Sequence, residues 1–64
     1  MPISIKAARV NAGFTQTEVA DRVNKTKNTI ASYESYSTAP DIKTAQAMAE
    51  LFGMSVNDII WSQD

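Results

Sequence analysis

Gly13-Phe14-Thr15-Gln16-Thr17-Glu18-Val19-Ala20-Asp21-Arg22-Val23-Asn24-Lys25-Thr26-Lys27-Asn28-Thr29-Ile30-Ala31-Ser32-Tyr33-Glu34 holds two helix starts eleven positions apart. The first is Thr15-Gln16-Thr17-Glu18, a capping box in which a hydroxyl and a carboxylate three residues apart satisfy each other's backbone N–H groups. Phe14 stands one residue before the cap, placed to staple against Val19. Val19, Ala20 and Val23 supply an inner face for a helix over 16–23. Asn24 then ends it, because asparagine tolerates the left-handed backbone of a helix terminus. Thr26 caps the next helix almost at once, over 27–35, with Ile30 and Tyr33 turned inward at i, i+3 spacing.

Outward from this stretch the same signals repeat. Ser4 caps a first helix over about 4–12, with Ile5, Ala8 and Ala12 on one face and Gly13 as its stop. Ser35-Tyr36-Ser37-Thr38-Ala39-Pro40 is polar and turn-like, and Pro40 holds Ala39 extended. Asp41 caps a fourth helix over 42–52 that points Ile42, Ala45, Met48, Ala49 and Phe52 inward and stops near Gly53. Ser55-Val56-Asn57-Asp58 resembles a second capping box and opens a short fifth helix over 56–61, with Val56, Ile59 and Ile60 apolar. The expectation is one all-α domain over 1–64, a compact five-helix bundle. Its second and third helices meet through a turn so tight that they form a helix-turn-helix.

Bulk composition narrows the chemistry. The chain has 64 residues, 44% of them hydrophobic, so it is globular in class. A domain of this size buries only about 60% of its unfolded surface, and its packed helices stand without disulfide or metal support, alone or aided by a partner subunit. Cysteine and histidine are both absent, which excludes disulfides, thiol nucleophiles, imidazole bases and zinc sites built on them. Glu18, Asp21, Glu50, Asp58 and Asp64 fall on helix starts, exposed faces or the terminus, with no paired arrangement for acid–base work. No catalytic residue, metal, cofactor or small-molecule ligand is expected. No apolar run approaches the roughly 20 residues of a membrane span. The start Met1-Pro2-Ile3-Ser4 lacks the basic and apolar regions of a signal peptide. A soluble cytoplasmic protein is the resulting expectation.

Charge is less simple. Six Lys and Arg against seven Asp and Glu leave −1 overall. Yet Met1–Glu34 carries five basic residues (Lys6, Arg9, Arg22, Lys25, Lys27) against three acidic ones, while Ser35–Asp64 carries Lys43 against four acidic ones. Phosphate binding responds to the local field, so a polarised domain of this kind can bind DNA with modest affinity per copy.

The run Gly13 to Ala20, followed by Thr26, Thr29-Ile30, Tyr33-Glu34, Pro40, Met48-Ala49, Gly53-Met54-Ser55 and Asp58-Ile59-Ile60, resembles the phage repressor and Cro-like helix-turn-helix family. The resemblance spans about Ile5 to Ile60. It implies that Arg9 and Glu34 form a salt bridge between the first and third helices. Some positions depart from the family pattern. Ala8 and Ala45 stand where leucine is usual, Lys25 where an apolar residue closes the turn, and Tyr36 where glycine follows the third helix. Ser37 and Thr38 replace basic residues of the loop. The expectation at Lys25 is a stem that covers the turn with its amine outside.

An α-helix fits the major groove, where donor and acceptor patterns distinguish all four base pairs. Lys27, Asn28 and Ser32 form the polar stripe suited to that reading, Asn28 toward adenine and Lys27 toward guanine. The resemblance carries base contact onto these three and onto Gln16. Gln16 also opens a helix whose first-turn N–H groups suit a phosphate. Further candidates for the DNA backbone are Lys6, Thr15, Lys25, Thr26, Thr29, Tyr36, Ser37, Thr38 and Lys43. One helix reads few base pairs, so a homodimer on a roughly palindromic double-stranded site, with half-sites about 34 Å apart, is expected. Tyr36, Met54 and Trp61 are interface candidates, with core cover the competing role for Trp61. The resemblance implies a repressor or Cro-type switch. The acidic total supports another reading, an antitoxin-like or adaptor domain that keeps the fold but binds protein.

Overall fold

A computed structural model describes residues 1–63. Along the chain it contains β1 (Ile3–Ser4), α1 (Ile5–Asn11), α2 (Gln16–Val23), α3 (Lys27–Glu34), α4 (Ile42–Leu51), a 3-10 turn (Val56–Asp58) and β2 (Ile59–Ile60). Asp64, one of the isolated carboxylates, lies outside the described residues.

Local chemistry starts each α-helix. The Ala7, Glu18, Thr29 and Thr44 backbone N–H groups donate to the side chains of Ser4, Thr15, Thr26 and Asp41, at 3.0, 3.1, 3.3 and 2.9 Å. At α2 the box is complete, since the Thr15 N–H donates to Glu18 Oε1 at 2.9 Å. Asn24 is left-handed at φ 61°, which sends the Lys25 N–H back to the Ala20 carbonyl at 2.8 Å and frees Thr26 to cap α3. These short-range bonds confine the turn between α2 and α3 to Asn24–Thr26.

The apolar stripes meet in one cluster. Ile5, Val19, Ile30 and Met48 are its largest fully buried side chains, joined by Ala8, Ala20, Tyr33, Ala49, Phe52 and Ile59. Phe14 extends the cluster, with its ring centroid 6.4 Å from that of Phe52 and the Arg22 guanidinium 5.6 Å away over its face.

Two expectations are corrected. The fifth helix over 56–61 does not form. The Ser55 hydroxyl accepts from Asn57 rather than completing a capping box, a three-residue 3-10 turn follows, and Ile59–Ile60 becomes a strand parallel to β1, with Ile3 opposite Ile59 and Ser4 opposite Ile60. One turn of helix fixes several residues for little hydrogen-bond return. Extended β-branched residues instead alternate, burying Ile59 and leaving Ile60 40% exposed. The second correction is Ile42, expected inward and found 77% exposed. It is the first residue of α4, where a side chain leans toward the helix N-terminus and so past the end of the bundle. The inward stripe begins at Ala45.

The remaining bounds differ by one residue, with Ser4, Ala12, Ser35 and Phe52 acting as caps rather than helical residues. Among the described residues no helix is long and apolar enough to cross a membrane.

Candidate nucleic-acid interface

Glu34 lies at the centre of the bonds that hold α3 in place. Its Oε2 accepts from Arg9 Nε at 2.6 Å, and its Oε1 accepts from Arg9 Nη2 at 3.4 Å and Gln16 Nε2 at 3.0 Å. Arg9 Nη1 donates onward to the Phe14 carbonyl at 2.8 Å. The two charged side chains are 12% and 6% exposed, so the pair is largely withdrawn from water. Four pieces of chain are thereby joined: α1, the turn before α2, the first residue of α2 and the last residue of α3. A carboxylate only accepts, so the Gln16 amide must face it with N–H, leaving its oxygen and second N–H for any ligand.

With its C-terminal end held, α3 leaves its start open. Lys27 and Asn28 are exposed, while Thr29 and Ser32 are half-buried. The Thr26 hydroxyl caps α3 and lies 3.0 Å from the Thr29 hydroxyl, so both are engaged within the protein. The loop after α3 folds back on it. The Ser32 carbonyl accepts from the Ser37 N–H at 3.0 Å, the Thr38 N–H at 3.4 Å and the Ser35 hydroxyl at 3.1 Å, and the Ser35 and Ser37 hydroxyls lie 2.9 Å apart. This return leaves an open cleft of about 350 Å³ lined by Asn28, Thr29, Ser32, Tyr33, Thr38 and Ala39. In the sequence Tyr33 reads only as a core residue, and Ala39 carries no signal beyond its extended conformation before Pro40. The periodicity that turns the Tyr33 ring inward carries no signal for where its far end emerges.

Other candidates lie elsewhere. Lys6 is exposed on α1. Lys25 and Lys43 are also exposed and border a depression with Asp41, where the ends of α2 and α4 meet. Asp41 is held below the usual carboxylate range chiefly by its hydrogen bonds from the Thr44 side chain and N–H, with smaller help from Lys25 and Lys43. Glu18 is likewise lowered, first by the Thr15 N–H, then by the Thr15 side chain and Arg22.

Tyr36 takes a course of its own. It is left-handed at φ 61°, and its hydroxyl donates to the Ile60 carbonyl at 2.9 Å while accepting from the Ile5 N–H at 3.4 Å. The phenol is thus engaged at the β1–β2 junction and does not line the α3 cleft. Trp61 donates its indole N–H to the Val56 carbonyl at 2.9 Å and packs on the core, as does Met54. Among the described residues no group of His, Cys, Asp and Glu gathers to hold a metal.

Two capped helices joined by a three-residue turn, the second braced from behind and open at its start, define a helix-turn-helix domain. The chain belongs to the HTH_3 helix-turn-helix family, whose model matches residues 5–59. It is similar to the HTH-type transcriptional regulator ImmR of Bacillus subtilis (strain 168), at 32% identity over 56 residues, 88% of this chain and 44% of that protein. It is also similar to the cryptic phage CTXphi transcriptional repressor RstR of Vibrio cholerae, at 29% identity over 88% of this chain and 50% of that protein. A third relative is the uncharacterized HTH-type transcriptional regulator YgzD of Bacillus subtilis (strain 168), at 25% identity over 100% of this chain and 97% of its own length. The chain therefore spans about half the length of two of these relatives and nearly all of the third. No solved structure matches it significantly.

Proposed function

We propose that residues 1–64 form one cytoplasmic DNA-binding domain that reads duplex sequence through the major groove and acts as a small transcriptional regulator, a repressor or Cro-type switch protein. The observation that carries this reading is α3: exposed at Lys27 and Asn28, held by the Arg9–Glu34–Gln16 network, and set in a chain of the helix-turn-helix family. The regulatory role is supported by the transcriptional regulators and the phage repressor to which the chain is similar.

Asn28 presents an amide suited to an adenine edge, Lys27 a donor for guanine, and Ser32 a hydroxyl deeper in the cleft. The open N–H groups of the first turn of α2, beside Gln16, suit a phosphate. Lys6, Lys25 and Lys43 add positive charge near the duplex, and Thr15, Thr26, Thr29, Ser37 and Thr38 flank its backbone. Tyr36 has little left to offer there, because its hydroxyl is engaged within the protein. Regulation by occupancy of a promoter requires discrimination beyond one helix, so two copies act on a roughly palindromic site. The proposed contact between copies is the β2 end, where Tyr36 and Trp61 flank the exposed Ile60, with Met54 a few residues upstream.

Selection of bound duplexes from a random DNA pool, followed by gel shift over a salt series, tests the proposal. The expected result is a two-fold-symmetric site bound more tightly than random duplex. No binding even at low salt refutes it and favours the protein-binding adaptor reading.

A further inference from the structure

We infer that the Tyr33 hydroxyl is a DNA-backbone contact, donating to a phosphate oxygen that enters the cleft between α3 and the loop behind it. The inference rests on the DNA-binding reading and extends it to a residue whose ring belongs to the core. Tyr33 is only 6% exposed and packs in the central cluster. Its hydroxyl makes no hydrogen bond to any described residue, yet among those residues no buried side-chain oxygen lacks a partner. Both facts hold only if the phenol oxygen reaches solvent while the ring stays inside. Tyr33 lines the α3 cleft, so the cleft is where the oxygen opens.

The cleft's chemistry selects its occupant. Asn28, Thr29, Ser32 and Thr38 surround Tyr33 with neutral amide and hydroxyl groups, and no carboxylate lines the space. Such a site donates hydrogen bonds to an anion without repelling it. Tyr33 follows Asn28 by five positions, about 7.5 Å of helix rise. Base reading is centred on the start of α3, and Tyr33, in its last turn, lies where the helix leaves the groove and the backbone is nearer. A phenol donating to a phosphate oxygen makes a charge-assisted bond. Because the packed ring already fixes its position, little side-chain freedom is lost on binding.

Tyr33→Phe is the test, since it keeps the ring and removes one oxygen. Wild type and variant are compared on a duplex selected from the random pool and on random-sequence duplex, each over a salt series, with thermal unfolding in parallel. The variant is expected to bind both duplexes about tenfold more weakly, with the same salt slope, because a neutral group releases no counterion. Its melting temperature stays unchanged, since the hydroxyl has no partner inside the protein. Binding within about twofold of wild type overturns the inference while leaving the DNA-binding reading intact. So does a loss confined to the selected duplex, which marks a base contact, or a lowered melting temperature, which marks an internal bond. Failure of wild type to bind any duplex at about 50 mM salt defeats the DNA-binding reading itself, and the inference with it.

Discussion

Replacing Glu34 with alanine removes the acceptor of three hydrogen bonds and leaves the Arg9 guanidinium, 12% exposed, with the Phe14 carbonyl as its remaining partner. Breaking one side of a buried ion pair costs about 3–5 kcal/mol, because the surviving charge stays desolvated. A chain of 64 residues has roughly 0.05–0.15 kcal/mol of stability per residue, or about 3–10 kcal/mol in all. Glu34→Ala thus consumes a third or more of the total. At about 4–8 °C per kcal/mol for a domain of this size, melting falls by at least about 12 °C. Thermal and urea unfolding followed by circular dichroism measure the loss. Arg9→Ala and the double variant complete a cycle in which the pair contributes a coupling of about 1–3 kcal/mol. Arg9→Met with Glu34→Leu, which fills the space with apolar groups, recovers most of the stability. A cost for Glu34→Ala below about 1 kcal/mol, or a cycle with no coupling, refutes the claim that this network holds α3 in place.

Tyr36→Phe removes the hydroxyl that links Ile60 and Ile5, lowering stability by about 1 kcal/mol in urea titration while leaving DNA affinity unchanged. Asn28→Ala changes the bases chosen in a selection experiment with little effect on melting, whereas Lys6→Ala, at a proposed backbone contact, weakens all duplexes alike and lowers the salt slope by about one. Glu18 and Asp41 are lowered from ordinary values of 4.5 and 3.8 in the folded state. Each therefore adds stability that is fully present above its unfolded-state value and is lost as pH falls through its folded-state value. Urea midpoints fall as the solution is acidified below those ordinary values. In Glu18→Gln with Asp41→Asn, where the caps can still accept but not titrate, this part of the pH dependence disappears.

The candidate interface was only partly legible. Lys27 and Asn28 sit directly after the Thr26 cap, and the start of a helix entered from a tight turn offers little for its side chains to pack against; both are exposed. The engagement of Gln16 with Glu34 was not legible, because the two are 18 positions apart and meet only when α2 crosses α3. By its place in a polar, turn-like segment Tyr36 reads as a loop residue free for DNA or a partner. Its bond to Ile60 spans 24 positions, and no local pattern encodes it. The cleft beside Tyr33 depends on how the loop over 35–40 returns to the Ser32 carbonyl, a matter of backbone path rather than composition.

Where the helices begin and which stripes they bury is written in local chemistry. Caps act within three residues, at Ser4, Thr15, Thr26 and Asp41, and the helical period repeats within one turn or two. That Ile59–Ile60 is a strand follows from long-range pairing, since its partner Ile3–Ser4 lies at the other end of the chain, and a strand this short has no standing without the edge it pairs with. The same holds for Ile42 and the Tyr33 hydroxyl: a helical repeat says which way a side chain points, and only the packed neighbours decide whether anything covers it.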